Sequence, residues 1–107
     1  MKPLSEILEN INKANDTYRT LELKQTAEKS LILRDLSCCF LDLVMWKDEF
    51  RNNWIDAYNE STGSNAKKER EADDKVRELE KVRDILKAIE HQMNAIRSTI
   101  SANKNQG

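Results

Sequence analysis

Glycine and proline are scarce in this chain of 107 residues, which has two glycines and one proline. At average usage a globular chain of this length carries about seven glycines and about five prolines. Folds with sheets need frequent turns, and turns depend on these two residues. Pro3 stands near the start, Gly107 at the end, and Gly63 alone interrupts the middle. The scarcity excludes most folds that contain a sheet and leaves long helices. We predict an all-α fold, a long helical hairpin with a short N-terminal helix that assembles as a helical bundle or coiled-coil oligomer. A chain of this length favours one domain.

Residues that carry catalysis are also scarce. His91 is the single histidine, so neither a zinc site nor a histidine-based catalytic arrangement is easily assembled. We expect it on the solvent side of a helix. No glycine-rich phosphate loop surrounds Gly63. We therefore predict a non-enzymatic protein that has no metal, no cofactor and no small-molecule substrate.

The two cysteines and the longest apolar run bear on the cellular compartment. Cys38 and Cys39 are adjacent, and a disulfide between neighbours on a helix strains the backbone, so we expect buried thiols in a reducing environment. The run Leu31–Trp46 is apolar at 12 of 16 positions. It is too short for a membrane span and three charged residues interrupt it. Residues 1–11 lack the apolar core of a secretory signal. We expect a cytoplasmic protein, in the host cytoplasm if the source is viral, without a membrane partner.

Hydrophobic spacing divides the chain into three predicted helices. Weak helix formers at 15–17 favour a break there, although the absence of glycine and proline leaves one continuous helix open. Gly63 favours a helix stop, and Ser64 or Asn65 can cap the helix that follows. The predicted elements are an N-terminal helix 1–15, a long central helix 17–58, a loop 59–65, a C-terminal amphipathic helix 66–102 and a tail 103–107.

The C-terminal helix has the most regular apolar pattern. Its apolar residues alternate in steps of three and four, which predicts the a/d seam of a helical bundle or coiled coil, and Ala72 extends the seam by one heptad. Two acid-first pairs at i,i+4 are also predicted, Glu71 with Lys75 and Asp73 with Arg77. The seam residues are Leu79, Val82, Leu86, Ile89, Met93, Ile96 and Ile100.

The central helix indicates an assembly. Its run Leu31–Trp46 has apolar side chains in almost every direction, so it needs at least two helical neighbours. The N-terminal helix offers one short neighbour, and leaving the rest exposed creates a large apolar patch. We therefore predict a homo-oligomer, a dimer in the simplest case, or an obligate complex with a partner. Its interface is assigned to the seam together with Leu33, Leu36, Phe40, Leu43, Trp46, Phe50 and Trp54.

Binding to nucleic acid is the other partner class that the charges allow. The net charge of −1 does not favour it, since dedicated binders are usually basic. Five basic residues that follow the loop can meet phosphates along one helix. Interleaved acids dilute their potential, however, and the pattern favours a solvated helix with internal salt bridges. These residues are Lys67, Lys68, Arg70, Lys75 and Arg77.

The C-terminal helix 84–100 closes its apolar heptad pattern with the stretch Ala95, Ile96, Arg97 and Ser98. In this it resembles the last helix of phage recombination accessory proteins of the UvsY type, which ends on an Ala-Ile-Lys-Ser stretch, so Arg97 stands where the family has lysine. The resemblance implies an oligomeric mediator that binds single-stranded DNA and helps to load a recombinase, with Arg97 and the five basic residues as the DNA contacts. This chain is shorter than the family and lacks its net basic character.

Two functions therefore stay open. The first is a non-enzymatic oligomeric accessory protein of phage DNA recombination or repair that binds single-stranded DNA and a recombinase. The alternative is a small protein–protein interaction module, an inhibitor or adaptor, that binds a host or viral protein without nucleic acid.

Overall fold

The computed structural model is all-helical over the residues it describes, 1–22 and 25–106, with side chains to residue 102. The predicted all-α class is confirmed for these residues, while assembly into an oligomeric bundle stays a prediction. The molecule is elongated, with extents of 65 × 24 × 17 Å, and the second helix contacts each of the others. The four helices are α1 (Leu4–Arg19), α2 (Thr26–Glu60), α3 (Asn65–Glu71) and α4 (Asp73–Gln106).

The first break between helices lies later than the sequence predicts. α1 continues past the predicted break to Arg19. Within it, Thr17 Oγ1 donates a hydrogen bond to the carbonyl oxygen of Lys13 at 2.9 Å, so this weak helix former is accommodated inside the helix. The predicted helices 1–15 and 17–58 are thus corrected to 4–19 and 26–60, and positions 23 and 24 lie outside the described residues.

The turn between α2 and α3 forms where Gly63 predicts it. Gly63 has a φ of +109°, in the region that favours glycine. Ser64 then caps α3, because its Oγ accepts a hydrogen bond from the backbone N–H of Lys67 at 3.3 Å. The helix stop and the serine cap are confirmed, while the loop shortens from the predicted 59–65 to 61–64.

The predicted C-terminal helix is two helices, separated at Ala72. Ala72 is fully buried with φ −92° and ψ 0°, and its N–H still bonds to the Lys68 carbonyl at 3.1 Å. Glu71, the last residue of α3, pairs with Lys67 at 3.8 Å, and among the described residues no salt bridge joins it to Lys75 across the break.

The rest of the C-terminal prediction concerns α4 itself. The predicted pair of Asp73 and Arg77 lies wholly within α4 and forms at 2.8 Å. The helix also runs to Gln106, beyond the predicted start of the tail at 103, and Gly107 lies outside the described residues.

The core forms where α1 and α4 cover α2 from two directions. α1 and α4 both run antiparallel to α2. α1 ends close before α2 in the chain, yet its beginning lies at the middle of α2, where Trp46 Nε1 donates to the Lys2 carbonyl at 2.7 Å. α4 follows the end of α2 in the chain and returns along it, so that Met93 Sδ lies 3.4 Å from Ser37 Oγ. One apolar cluster joins the three helices. Its buried members are Ile7, Ile11, Ala14, Ile32, Leu36, Cys39, Leu43, Val82, Leu86, Ile89, Met93 and Ile96.

This core changes the assignment of the predicted interface. The seam residues from Leu79 to Ile96 are buried within the single chain, as are Leu36 and Leu43, because α1 folds back and supplies the second neighbour that α2 needs. An interface between copies made from these side chains would require α1 or α4 to separate from α2. The other predicted interface residues are half-buried: Leu33, Phe40, Trp46, Phe50 and Ile100 pack against the core, and Trp54 contacts Tyr58.

Candidate functional site

The outer face of α2 carries apolar residues that the chain does not cover. Leu31, Leu41 and Met45 are 58%, 64% and 53% exposed, and Cys38 is exposed between them. Together with Arg34 they follow each other in steps of three and four residues, the spacing of a helical seam. We call these five residues, Leu31, Arg34, Cys38, Leu41 and Met45, the outward stripe.

The outward stripe lies opposite the core for a geometric reason. The buried residues of α2 are Lys29, Ile32, Leu36, Cys39 and Leu43. Each residue of the outward stripe follows one of them by two positions. Two positions on an α-helix correspond to a rotation of about 200°. α2 therefore has two seams back to back, one filled by α1 and α4 and the other exposed.

A row of acidic residues borders the outward stripe along its length. α2 places an acidic residue at every seventh position, which sets them on one side of the helix about 10.5 Å apart. We call these residues, Glu28, Asp35, Asp42, Glu49 and Asp56, the acidic row.

Most of the acidic row is unpaired. Asp42 is half-buried, and its Oδ2 lies 3.9 Å from Lys2 Nζ on α1. Glu28, Asp35, Glu49 and Asp56 are exposed, and within the described part of the chain none of them forms a salt bridge. These exposed carboxylates therefore present negative charge beside an apolar surface, and Asp35 also lines a cleft that contains Lys2 and Lys13.

A cleft between α1 and α2 holds the two thiols. It has a volume of about 360 Å³, and Lys2, Lys13, Asp35 and Asp42 place charges of both signs around it. Burial, followed by the nearby Asp42 carboxylate, raises the pKa of the Cys39 thiol, and Lys2 opposes this shift. Cys39 is thus held as a neutral thiol, the opposite of what a nucleophilic cysteine needs. Cys38, predicted to be buried, is exposed instead because it faces away from the core.

The five predicted nucleic-acid contacts lie on α3 and the first turns of α4, and several are already partnered. Lys67 and Arg77 are in the salt bridges with Glu71 and Asp73. Lys68 Nζ lies 5.4 Å from the centre of the Tyr58 ring, a cation–π contact that the sequence did not indicate. These contacts lower the positive charge that is available to phosphates.

The remaining predicted contact is remote. Arg97 lies on α4 about 30 Å from Arg77 along the helix axis, and its Nη1 donates to Asn94 Oδ1 at 3.1 Å. The structure therefore does not bring Arg97 together with the other basic residues. His91 is exposed, as its position on the helix predicts.

The described residues offer neither a metal site nor a membrane-spanning helix. No group of three or more histidine, cysteine, aspartate or glutamate side chains among them is placed to hold a metal ion. None of their helices combines the length and the apolar character that a membrane crossing demands.

Comparison with protein-family models, with curated proteins and with solved structures finds no match for this chain. The resemblance to UvsY-type proteins therefore stays a prediction.

Sequence reasoning missed the acidic row and the separation of α2 into two seams. Both signals were present, since five acidic residues at intervals of seven stand between Glu28 and Asp56. The dense apolar run hid the two-residue offset between the seams, because adjacent apolar residues obscure any single period.

Proposed function

We propose that this chain is a non-enzymatic interaction module that works by presenting the outer face of α2 to another protein chain. One observation carries the proposal: the chain completes its own core and still exposes Leu31, Leu41 and Met45 in seam register. An apolar stripe with helical spacing is suited to contact with a further helix. A partner that covers these three side chains would recover the free energy of burying them.

Self-assembly is one form of this function. A second copy covering the outward stripe would give the homo-oligomeric bundle that the sequence predicts. Since the core is complete within one chain, we expect such an assembly to be weak and to depend on concentration.

A second candidate is the oligomeric accessory protein that binds single-stranded DNA and a recombinase. The observation that favours it is the exposure of Lys67, Arg70 and Arg77 on one arm of the molecule, formed by α3 and the first turns of α4. The salt bridges within that arm and the net charge of −1 reduce its attraction for phosphates. We therefore favour protein binding at the outward stripe over DNA binding at the arm.

One experiment separates the two candidates. Light scattering at increasing concentration measures self-association, and fluorescence anisotropy with labelled oligo-dT at low and moderate salt measures DNA binding. The variants are Leu41→Glu/Met45→Glu on the outward stripe and Lys67→Glu/Arg70→Glu on the arm. The interaction module predicts that any rise of mass above 12.5 kDa is abolished only by the first variant, and that oligo-dT does not bind.

The opposite pattern supports the second candidate. Saturable binding of oligo-dT with a steep salt dependence, lost in Lys67→Glu/Arg70→Glu and kept in the stripe variant, assigns the function to the arm. It would overturn the interaction module as the principal function.

A further inference from the structure

We propose that the outward stripe and the acidic row together form a docking surface for a basic amphipathic helix of another protein. This inference rests on the proposed function and names the partner by its chemistry. The partner helix has an apolar seam with lysine or arginine beside it, so that its apolar residues meet Leu41 and Met45 while its basic residues meet the acidic row.

The acidic row determines the charge of the partner. With Leu31, Cys38 and Met45 at a positions, every residue of the acidic row falls at an e position, beside the seam. The e and g positions select partners in helical pairs through opposite charges. Four of the five carboxylates have no salt bridge within the described residues, so they are free to pair with incoming cations.

A second copy of the same face fits this surface poorly. In an antiparallel pair the e positions of the two helices face each other. The acidic row of one copy would then meet the acidic row of the other, and their carboxylates would repel each other. In a parallel pair the e residues face g residues, which here are Ser30, Ser37, Val44 and Arg51. Only Arg51 among these is basic. α2 as a whole carries seven acidic and four basic residues, so a second copy would add to the excess of negative charge at the contact.

The size of the stripe indicates a reversible contact. From Leu31 to Met45 it is about 21 Å long, and at a helix diameter of about 10 Å it offers roughly 200 Å². A stable interface buries about 800 Å² on each partner. A single docked helix, and not an obligate subunit, is the occupant that matches this area.

The experiment uses the full chain and a designed peptide. The probe is a labelled amphipathic helix of about 21 residues, with leucine and alanine at a and d and lysine at both e and g. Lysine on both flanks prevents pairing of the peptide with itself and tests both orientations. The control peptide has glutamate in place of each lysine. Anisotropy should give a dissociation constant of about 10–100 µM for the lysine peptide at low salt, and binding at least about tenfold weaker for the control.

Two variants test the two parts of the surface. Leu41→Glu/Met45→Glu should weaken the lysine peptide by about tenfold or more, while Ala88→Glu/Ala95→Glu, the same charge change on exposed positions of α4, should not. Asp35→Lys/Glu49→Lys should weaken the lysine peptide and strengthen the glutamate peptide. All the substituted positions are exposed and lie outside the core. Circular dichroism checks that each variant stays helical.

The outcomes separate this inference from the proposed function. Equal binding of the two peptides, or no saturable binding up to about 1 mM, overturns the basic-helix partner. If the stripe variant at the same time abolishes self-association in light scattering, the occupant is a second copy and the proposed function stands. If the stripe variant changes neither measurement, both proposals are wrong.

Discussion

Two leucines of α2 provide a direct test of its two-sided character. Leu36 is 0% exposed and lies in the core, whereas Leu41 is 64% exposed and lies on the outward stripe. Both are on the same helix, far from its ends, so replacement by alanine makes the same chemical change in two environments. We expect Leu36→Ala to destabilise the chain strongly and Leu41→Ala to leave its stability nearly unchanged.

The magnitudes follow from burial. Truncating a fully buried leucine to alanine costs about 2–5 kcal/mol, because the lost transfer free energy adds to the cost of a cavity. A substitution on an exposed surface usually changes stability by less than about 0.5 kcal/mol. With a urea m value of about 1.5 kcal/mol/M for a small domain, a loss of about 3 kcal/mol lowers the urea midpoint by about 2 M. The expected shift for Leu41→Ala is at most about 0.3 M on the same scale.

Urea titration followed by far-ultraviolet circular dichroism measures both midpoints, and repetition at two protein concentrations completes the test. Equal shifts for the two variants would refute the division of α2 into a filled seam and an exposed seam. A midpoint that rises with protein concentration, together with a large shift for Leu41→Ala, would mean that a second copy covers the outward stripe, since association stabilises the folded state by mass action.

Other local features give smaller tests. Gly63→Ala should cost about 1–2 kcal/mol in a thermal melt, because φ of +109° strains any residue with a Cβ, whereas Thr62→Ala beside it should cost little; equal effects would contradict the role of the turn. In the folded chain a thiol reagent should modify exposed Cys38 rapidly and Cys39 slowly, since burial and a raised pKa keep Cys39 as the neutral thiol. Cys39→Ser serves as the control, and equal rates for the two thiols would place Cys39 outside the core.

The sequence predicts those parts of the fold that local chemistry determines. The turn at Gly63, the cap at Ser64 and the seam from Leu79 to Ile96 depend on backbone conformation and helical period, and the structure confirms each as a local feature. The end of α1 was misplaced because no glycine or proline marks it and Thr17 is accommodated by its own hydrogen bond. The pair of Glu71 and Lys75 failed because the i,i+4 rule assumes a continuous helix, which ends at Ala72.

The candidate site was harder to predict because periodicity shows which side chains are buried but not which chain buries them. The seam of α4 has the same spacing whether its partner is α2 or a second copy. Only the position of α1 against α2, fixed by contacts such as Trp46 with Lys2, shows that one chain fills the core.

The apolar sides of α2 are covered by neighbouring helices of the same chain, except for one side that stays exposed. From Phe50 to Tyr58 the apolar residues return to one stripe, and there α2 packs against α3 and the adjoining start of α4. Between Leu31 and Trp46 they occupy three directions, and the chain supplies α1 for one and α4 for another. The third direction is the outward stripe. Because an all-round apolar helix is buried best with a neighbour on each apolar side, the docking that we propose at the outward stripe would account for the density of this run.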